Sequence, residues 1–209
     1  MSADLNPPEG QISFKQEVAR KATHTGALVI PAGYHLLALS RLEMLAIMIP
    51  IAILMVLIDI SRLRDWAFYR VAASRFMSPL MRGHENAGDF SGATYILLSV
   101  CLTVALYDKP IAIAALAFIA VGDTFAALIG RRFGRHRFGR KSVEGSLGCL
   151  LGTLIVAFLV PGIPLSVAVF GAAVATAVEA VSFRIDDNIT VPIVSGLAMT
   201  LLTRIMASI

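Results

Sequence analysis

Seven apolar runs, at about 25–40, 42–60, 91–107, 110–130, 146–160, 164–183 and 189–209, leave little of this 209-residue chain with which to build an ordinary globular domain. Most approach the roughly 17 to 25 residues that a spanning helix needs, the first and fifth being the shortest. Composition agrees, because 57% hydrophobic residues, 15% charged residues and a mean hydropathy of +0.78 lie far from soluble averages. The expected fold is all-α: a polytopic integral membrane protein of about seven transmembrane helices, with residues 1–14 as a flexible tail and 15–209 as one membrane-embedded domain.

The cations orient the bundle. With a cytoplasmic N-terminus, one side receives Lys15, Arg20, Lys21, Arg62, Arg64, Arg70, Arg75, Arg82, Arg184 and six more between Arg131 and Lys141, whereas the other receives only Arg41, Lys109 and Arg204. That sorting is the positive-inside pattern and predicts a protein of the cytoplasmic (inner) membrane with its N-terminus inside and its C-terminus outside. The net charge of +4 reports this topology. No aromatic-rich basic surface marks a nucleic-acid partner.

Cys101 and Cys149 fall in apolar runs without CxxC or histidine spacing, so neither a disulfide framework nor a zinc site is expected. No signal-peptide pattern precedes the first run, and no internal repeat suggests a duplicated transporter. Between the second and third runs, residues 62–82 set Trp66, Phe68, Tyr69, Val71, Phe76 and Met77 among five arginines, which predicts a basic interfacial helix in the headgroup layer. Its arginines either gather anionic ligands or only anchor the helix.

Within this apolar background, acids at membrane depth are the residues to explain. Asp123 lies eight residues before Arg131, about 12 Å at the helical rise, and Glu179 lies five before Arg184, about 7 to 8 Å. Lys21, His24, Asp59, Ser91, Thr94, Asp186, Asp187 and Asn188 fall at the same cytoplasmic level, so the polar residues converge on one layer. Four helix N-termini open onto that layer and present free N–H groups to anions. The loop after Asp123 carries Gly130, Gly134 and Gly139 among Arg131, Arg132, Arg135, Arg137, Arg140 and Lys141. Glycines allow close backbone approach, so the loop predicts a phosphate site at the membrane surface.

Each candidate has a plainer reading. Asp123 is either a Mg²⁺ ligand or a base, against an interhelical ion pair. Glu179 handles metal or protons, against a structural pair. Asp187 and Asn188 are oxygen ligands, against helix caps. Lys141, with Gly139 and Ser142, holds phosphates, against one more inside-positive charge. Glu144 is either functional or a helix N-terminal acid. Residues 134–142, GRHRFGRKS, approach a P-loop but insert Arg140 before the lysine, and membrane spans cannot supply its strand–turn–helix context.

Five segments, in order, resemble the CTP-dependent lipid kinases, which include dolichol kinase, phytol kinase and the fungal CTP-dependent diacylglycerol kinase and are distantly related to phosphatidate cytidylyltransferase. They are EVARKATHTG (17–26), HENAGDFSGATY (84–95), GDTFAALIGRRFG (122–134), GRKSVEGS (139–146) and DDNITVPIVSG (186–196). The resemblance implies transfer of the γ-phosphate of CTP to a lipid alcohol of diacylglycerol, polyprenol or phytol type, with a divalent metal. The expected catalytic residues are Asp123, Lys141 and Glu179; the nucleotide site comprises Gly130, Arg131, Gly134, Gly139, Lys141, Ser142, Lys21 and His24; and Mg²⁺ falls to Asp123, Asp187 and Asn188. CTP and the lipid are the expected partners, and a homo-oligomer is among the states the sequence permits. One rival is nucleotidyl transfer of the cytidylyltransferase kind; another is a lipid transporter, which helix-breaking residues at mid-depth in paired spans would favour.

Overall fold

The computed structural model describes residues 25–66, 90–139, 141–181 and 186–208. Lys21, His24, Arg140, Arg184, the tail 1–14 and residues 67–82 of the expected interfacial helix lie outside them. Among the described residues the chain forms α1 (Val29–Leu36), α2 (Arg41–Leu63), α3 (Gly92–Leu106), α4 (Lys109–Phe133), a ribbon of β1 (Arg137–Phe138) and β2 (Lys141–Ser142), α5 (Val143–Leu159), α6 (Leu165–Ala180) and α7 (Asp187–Ala207). These residues are all-α apart from that ribbon. Among the described residues, α2, α4 and α7 are long and apolar enough to cross a membrane on their own account. Helices α3, α5 and α6, of 15, 17 and 16 residues, measure about 23 to 26 Å, a little less than a hydrocarbon core.

The first apolar run is not one helix. Thr25 and Gly26 are helical, the chain turns at Ala27 and Leu28, and α1 then extends for eight residues, about 12 Å. Pro31 accounts for the break: its ring crowds the carbonyl four residues earlier, that of Ala27, and it has no N–H to give. The Ala27 carbonyl instead accepts from the Ile30 amide at 3.0 Å in a tighter turn. Ala38, at φ 52°, then ends the segment, and Ser40 caps α2 through a reciprocal box with Glu43.

Helix α4 is the axis of the bundle, with the most deeply buried span window of the three. Its alanines, Ala112, Ala114 and Ala115, are fully buried and admit neighbours closely. Gly145, Gly148 and Gly152 make one face of α5, and a Cβ on Gly148 would stand 2.9 Å from the Phe125 carbonyl oxygen and from Ile129 Cδ1. The α4–α5 contact is thus backbone against backbone, the small-residue packing that lipid-embedded helices use. At one end of the bundle Arg41 donates to the Tyr107 carbonyl and Asp108, and Lys109 donates to the Leu39 carbonyl while lying 4.8 Å over the Tyr34 ring. At the other end are the ribbon and its arginines.

Candidate active site

The ribbon is what places the sequence's basic loop. Arg137 pairs with Ser142 and Phe138 with Lys141, and Gly139, following Phe138, has a φ of +61°. Glycine is the residue that accepts this conformation without steric penalty. Ser142 ends the ribbon and caps α5, its Oγ accepting from the Gly145 amide at 3.1 Å. Gly130, Gly134 and Gly145 close around that hydroxyl: a Cβ on Gly130 would lie 3.1 Å from Ser142 Oγ, and one on Gly134 would overlap the Gly130 carbonyl oxygen. Gly130, Gly134 and Ser142 therefore have a packing task, whereas Gly139 stands exposed at the turn with open space around it. Glu144, in the first turn of α5, reaches back to His136, with Nδ1 and Oε1 2.7 Å apart and the His136 amide donating to the same carboxylate. Arg131, Arg132, Arg135 and Arg137 are exposed around this ribbon.

Lys141 points the other way, into the bundle. Its Nζ lies 2.9 Å from Asp187 Oδ2 and 3.0 Å from Glu179 Oε1, and it also donates to the Glu179 backbone carbonyl. Three residues predicted separately, on the ribbon, α6 and α7, thus meet at one ammonium. Burial works against its charge, but the Asp187 hydrogen bond and the charges of Glu179 and Asp187 outweigh it, and the Lys141 pKa sits above the ordinary lysine value. Asp123 on α4 is near enough for its charge to act on both Glu179 and Asp187. Asn188 follows Asp187, but the cap of α7 is Asp186, whose Oδ1 accepts from the Asn188 amide at 2.9 Å and from its Nδ2 at 2.6 Å. Neither Asp187 nor Asn188 is spent on capping.

Several relatives of this chain are named as lipid kinases. A protein of Rickettsia prowazekii described only as uncharacterized is 29% identical over 92% of this chain and 98% of its own length. The CTP-dependent diacylglycerol kinase 1 of Saccharomyces cerevisiae is 24% identical over 91% of the chain and 74% of its own length. The phytol kinase of a Synechocystis species is 33% identical over 61% of each chain. Over most of its length the chain is similar to proteins named as CTP-dependent lipid kinases. No protein-family model and no solved structure matches it.

One polar group in this lipid kinase relative was only half visible beforehand. Asp59, fully buried near the end of α2, accepts three hydrogen bonds on Oδ2, from the Ser91 amide (2.8 Å), Ser91 Oγ (2.8 Å) and Thr94 Oγ1 (2.6 Å), and one on Oδ1 from Arg62 Nε (3.2 Å). It therefore fastens α2 to the start of α3. The sequence marks its depth but not its role, although an acid three residues before an arginine and an SxxT opening the next span are the signals that name it. The described polar layer thus contains two separate constellations, a structural one around Asp59 and a charged one around Lys141. A further tie, Thr25 Oγ1 to Thr124 Oγ1 at 2.9 Å, holds the N-terminal segment beside Asp123.

Proposed function

We propose that this protein transfers the γ-phosphoryl group of CTP to the hydroxyl of a lipid alcohol, at the cytoplasmic end of a membrane bundle whose first segment is a broken helix, in the inner membrane with its N-terminus inside. The observation that carries the reading is the seat of Lys141, held between Glu179 and Asp187 within the field of Asp123, directly beneath exposed arginines on a glycine-turned ribbon. The arginines offer charge to a polyphosphate from the water side. The acids lie within helices, where a lipid hydroxyl can reach them.

An ammonium has three donors. Glu179 Oε1, the Glu179 carbonyl and Asp187 Oδ2 occupy all three, so a phosphate oxygen that binds Lys141 has to replace one of them. The displaced carboxylate then becomes available as nucleotide arrives. Mg²⁺ takes one or two carboxylates and completes its shell with phosphate oxygens and water, and Asp187, Asp123 and the amide oxygen of Asn188 are donors of that kind. Among the described residues, no group of three or more His, Cys, Asp or Glu is arranged to hold a metal ion by itself. When bound, Mg²⁺ offsets charge on the transferring group.

The lipid oxygen attacks the γ-phosphorus in line; the new O–P bond forms as the bond to the β–γ bridging oxygen breaks, and CDP leaves. The hydroxyl proton passes to a carboxylate. Asp123 either receives it or shares the metal with Asp187, two roles that the metal dependence of residual Asp123→Asn activity separates. Lys141 and the arginines hold the phosphates and offset developing charge.

The test uses purified protein in detergent with α- or γ-labelled CTP, and γ-labelled ATP, against diacylglycerol, phytol and a polyprenol. Label in the lipid from the γ position alone, lost in Asp123→Asn, is the expected result. Lipid labelled from the α position means nucleotidyl transfer instead, and no labelled lipid with any alcohol overturns both enzymatic readings.

A further inference from the structure

Helices α2 and α4 start from one level, because Arg41, the first residue of α2, pairs at 3.3 Å with Asp108, the residue before α4. From there α2 runs 23 residues and α4 runs 25, about 34 and 37 Å at the helical rise. A hydrocarbon core takes about 30 Å, and a tilt of about 20° still leaves α4 about 35 Å of depth. The charged pair at the helix starts marks one edge of that core. The last turn of α4, residues 130–133, therefore stands in the opposite headgroup layer.

That turn exposes an aromatic ring beside a cation. Phe133 is 58% exposed, and Trp66, three residues past the end of α2, is 49% exposed, so large rings stand open at this one level. Rings of this kind settle where apolar chains meet headgroups. Arg132 lays its guanidinium over the Phe133 ring, 5.7 Å from the centroid. Stacked by its face, a guanidinium keeps its N–H edge for a pair of oxygens. Arg41 and Arg62 each spend that edge on an aspartate, whereas among the described residues no carboxylate pairs with Arg132. Arg131 and Arg135, both exposed, add positive charge on either side.

We propose that Arg132 and Phe133 form a seat for the headgroup of an anionic phospholipid. The guanidinium edge donates to two phosphodiester oxygens, and the ring lies against the glycerol and the first methylenes of the chains. The surrounding arginines favour a lipid of net negative charge over a zwitterionic one, whose own cation they repel. The seat is separate from the ribbon: Arg132 belongs to the end of α4, whereas Arg137 and Lys141 lie on the paired strands. A polyphosphate in water has an anion for Arg132 but nothing apolar for the exposed ring. A bilayer lipid brings both in one molecule. The inference goes beyond the lipid kinase reading and needs only the membrane placement of α4.

The test reads a single tryptophan at the seat. The chain has one tryptophan, so the full-length double variant Trp66→Phe, Phe133→Trp reports from position 133 alone. It is reconstituted in phosphatidylcholine vesicles in which part of the lipid is replaced by phosphatidylcholine or phosphatidylglycerol brominated near the headgroup end of the chains. Both should quench the fluorescence, and phosphatidylglycerol should show about fivefold higher relative affinity, shrinking as salt is raised. Adding Arg132→Gln should bring that ratio to near one. Quenching by neither lipid puts the ring outside the bilayer and overturns the seat. Equal quenching by both, or an unchanged preference in Arg132→Gln, overturns the recognition of anionic lipid by Arg132. Loss of the preference on adding CTP assigns the guanidinium to the nucleotide and overturns it as well. No arm depends on turnover, so failure of the kinase reading leaves this result standing and failure here leaves that reading untouched.

Discussion

Lys141 Nζ stands 2.9 Å from Asp187 Oδ2, joining residues 46 positions apart through a ribbon of only two paired residues on each strand. The short ribbon thereby acquires a fixed distance from α7, and its exposed arginines a fixed distance from the acids.

Removing that ammonium leaves Glu179 and Asp187 facing each other without a cation. Lys141→Ala should lower stability by about 2 kcal/mol, below the loss for a fully buried pair because Asp187 keeps 34% of its side chain exposed. It should also abolish the thermal shift that CTP produces in the wild type. Melting curves in detergent with and without nucleotide check both, and a CTP shift of wild-type size would remove Lys141 from the nucleotide site.

The same ion pairs set a pH window. Because folding raises the Lys141 pKa, its contribution is whole below the unfolded lysine value of about 10.4 and declines only as pH climbs through the higher folded one. The stability difference between wild type and Lys141→Met should therefore persist through about pH 9 and shrink only above about 10.4. A difference already gone by about pH 8 contradicts the charge balance described.

Asp59 should behave as a structural anchor. Asp59→Ala strands the Ser91 and Thr94 donors and the nearly buried Arg62, and should destabilise by about 3 to 5 kcal/mol. Ser91→Ala should do less. In a double-mutant cycle the two effects should fall short of their sum, since each removes part of one network; strict additivity would show that the network does not act as a unit.

Two glycine substitutions should have opposite signs. Gly148→Ala drives a methyl group against Phe125 and Ile129 and should destabilise by about 1 to 3 kcal/mol. Gly33→Ala, in α1 with nothing within 4 Å of the added Cβ, should stabilise by up to about 1 kcal/mol. Thermal midpoints of the two variants decide the matter directly.

For the topology, a cysteine placed at His136 in a background without Cys101 and Cys149 should resist an impermeant thiol reagent applied to intact cells and react after permeabilisation. Labelling from outside would invert the bundle.

Much of this arrangement is legible one residue at a time. Helix α4 runs from Lys109 to Phe133 where the apolar run suggests 110–130, and counting from Arg131 and Arg184 puts Asp123 and Glu179 in the same charged group. Pro31 announces the break in the first run, but hydropathy averages over it. The ribbon has no periodicity to read, since two residues per strand make no pattern. Depth along a helix follows from sequence at 1.5 Å per residue, whereas rotation about the axis does not. That is why Asp59 and Glu179 share one depth in the sequence although the first is held by Ser91, Thr94 and Arg62 and the second by Lys141.

The Asp59 network also bears on how such a chain is made. Helix α2 precedes α3 in the chain, so its carboxylate can enter the membrane before Ser91 and Thr94 are packed beside it. Arg62, one turn along the same helix, is the partner available from the start. The span can thus enter with its charge locally offset by Arg62 and gain its hydroxyl ligands when the next span packs against it.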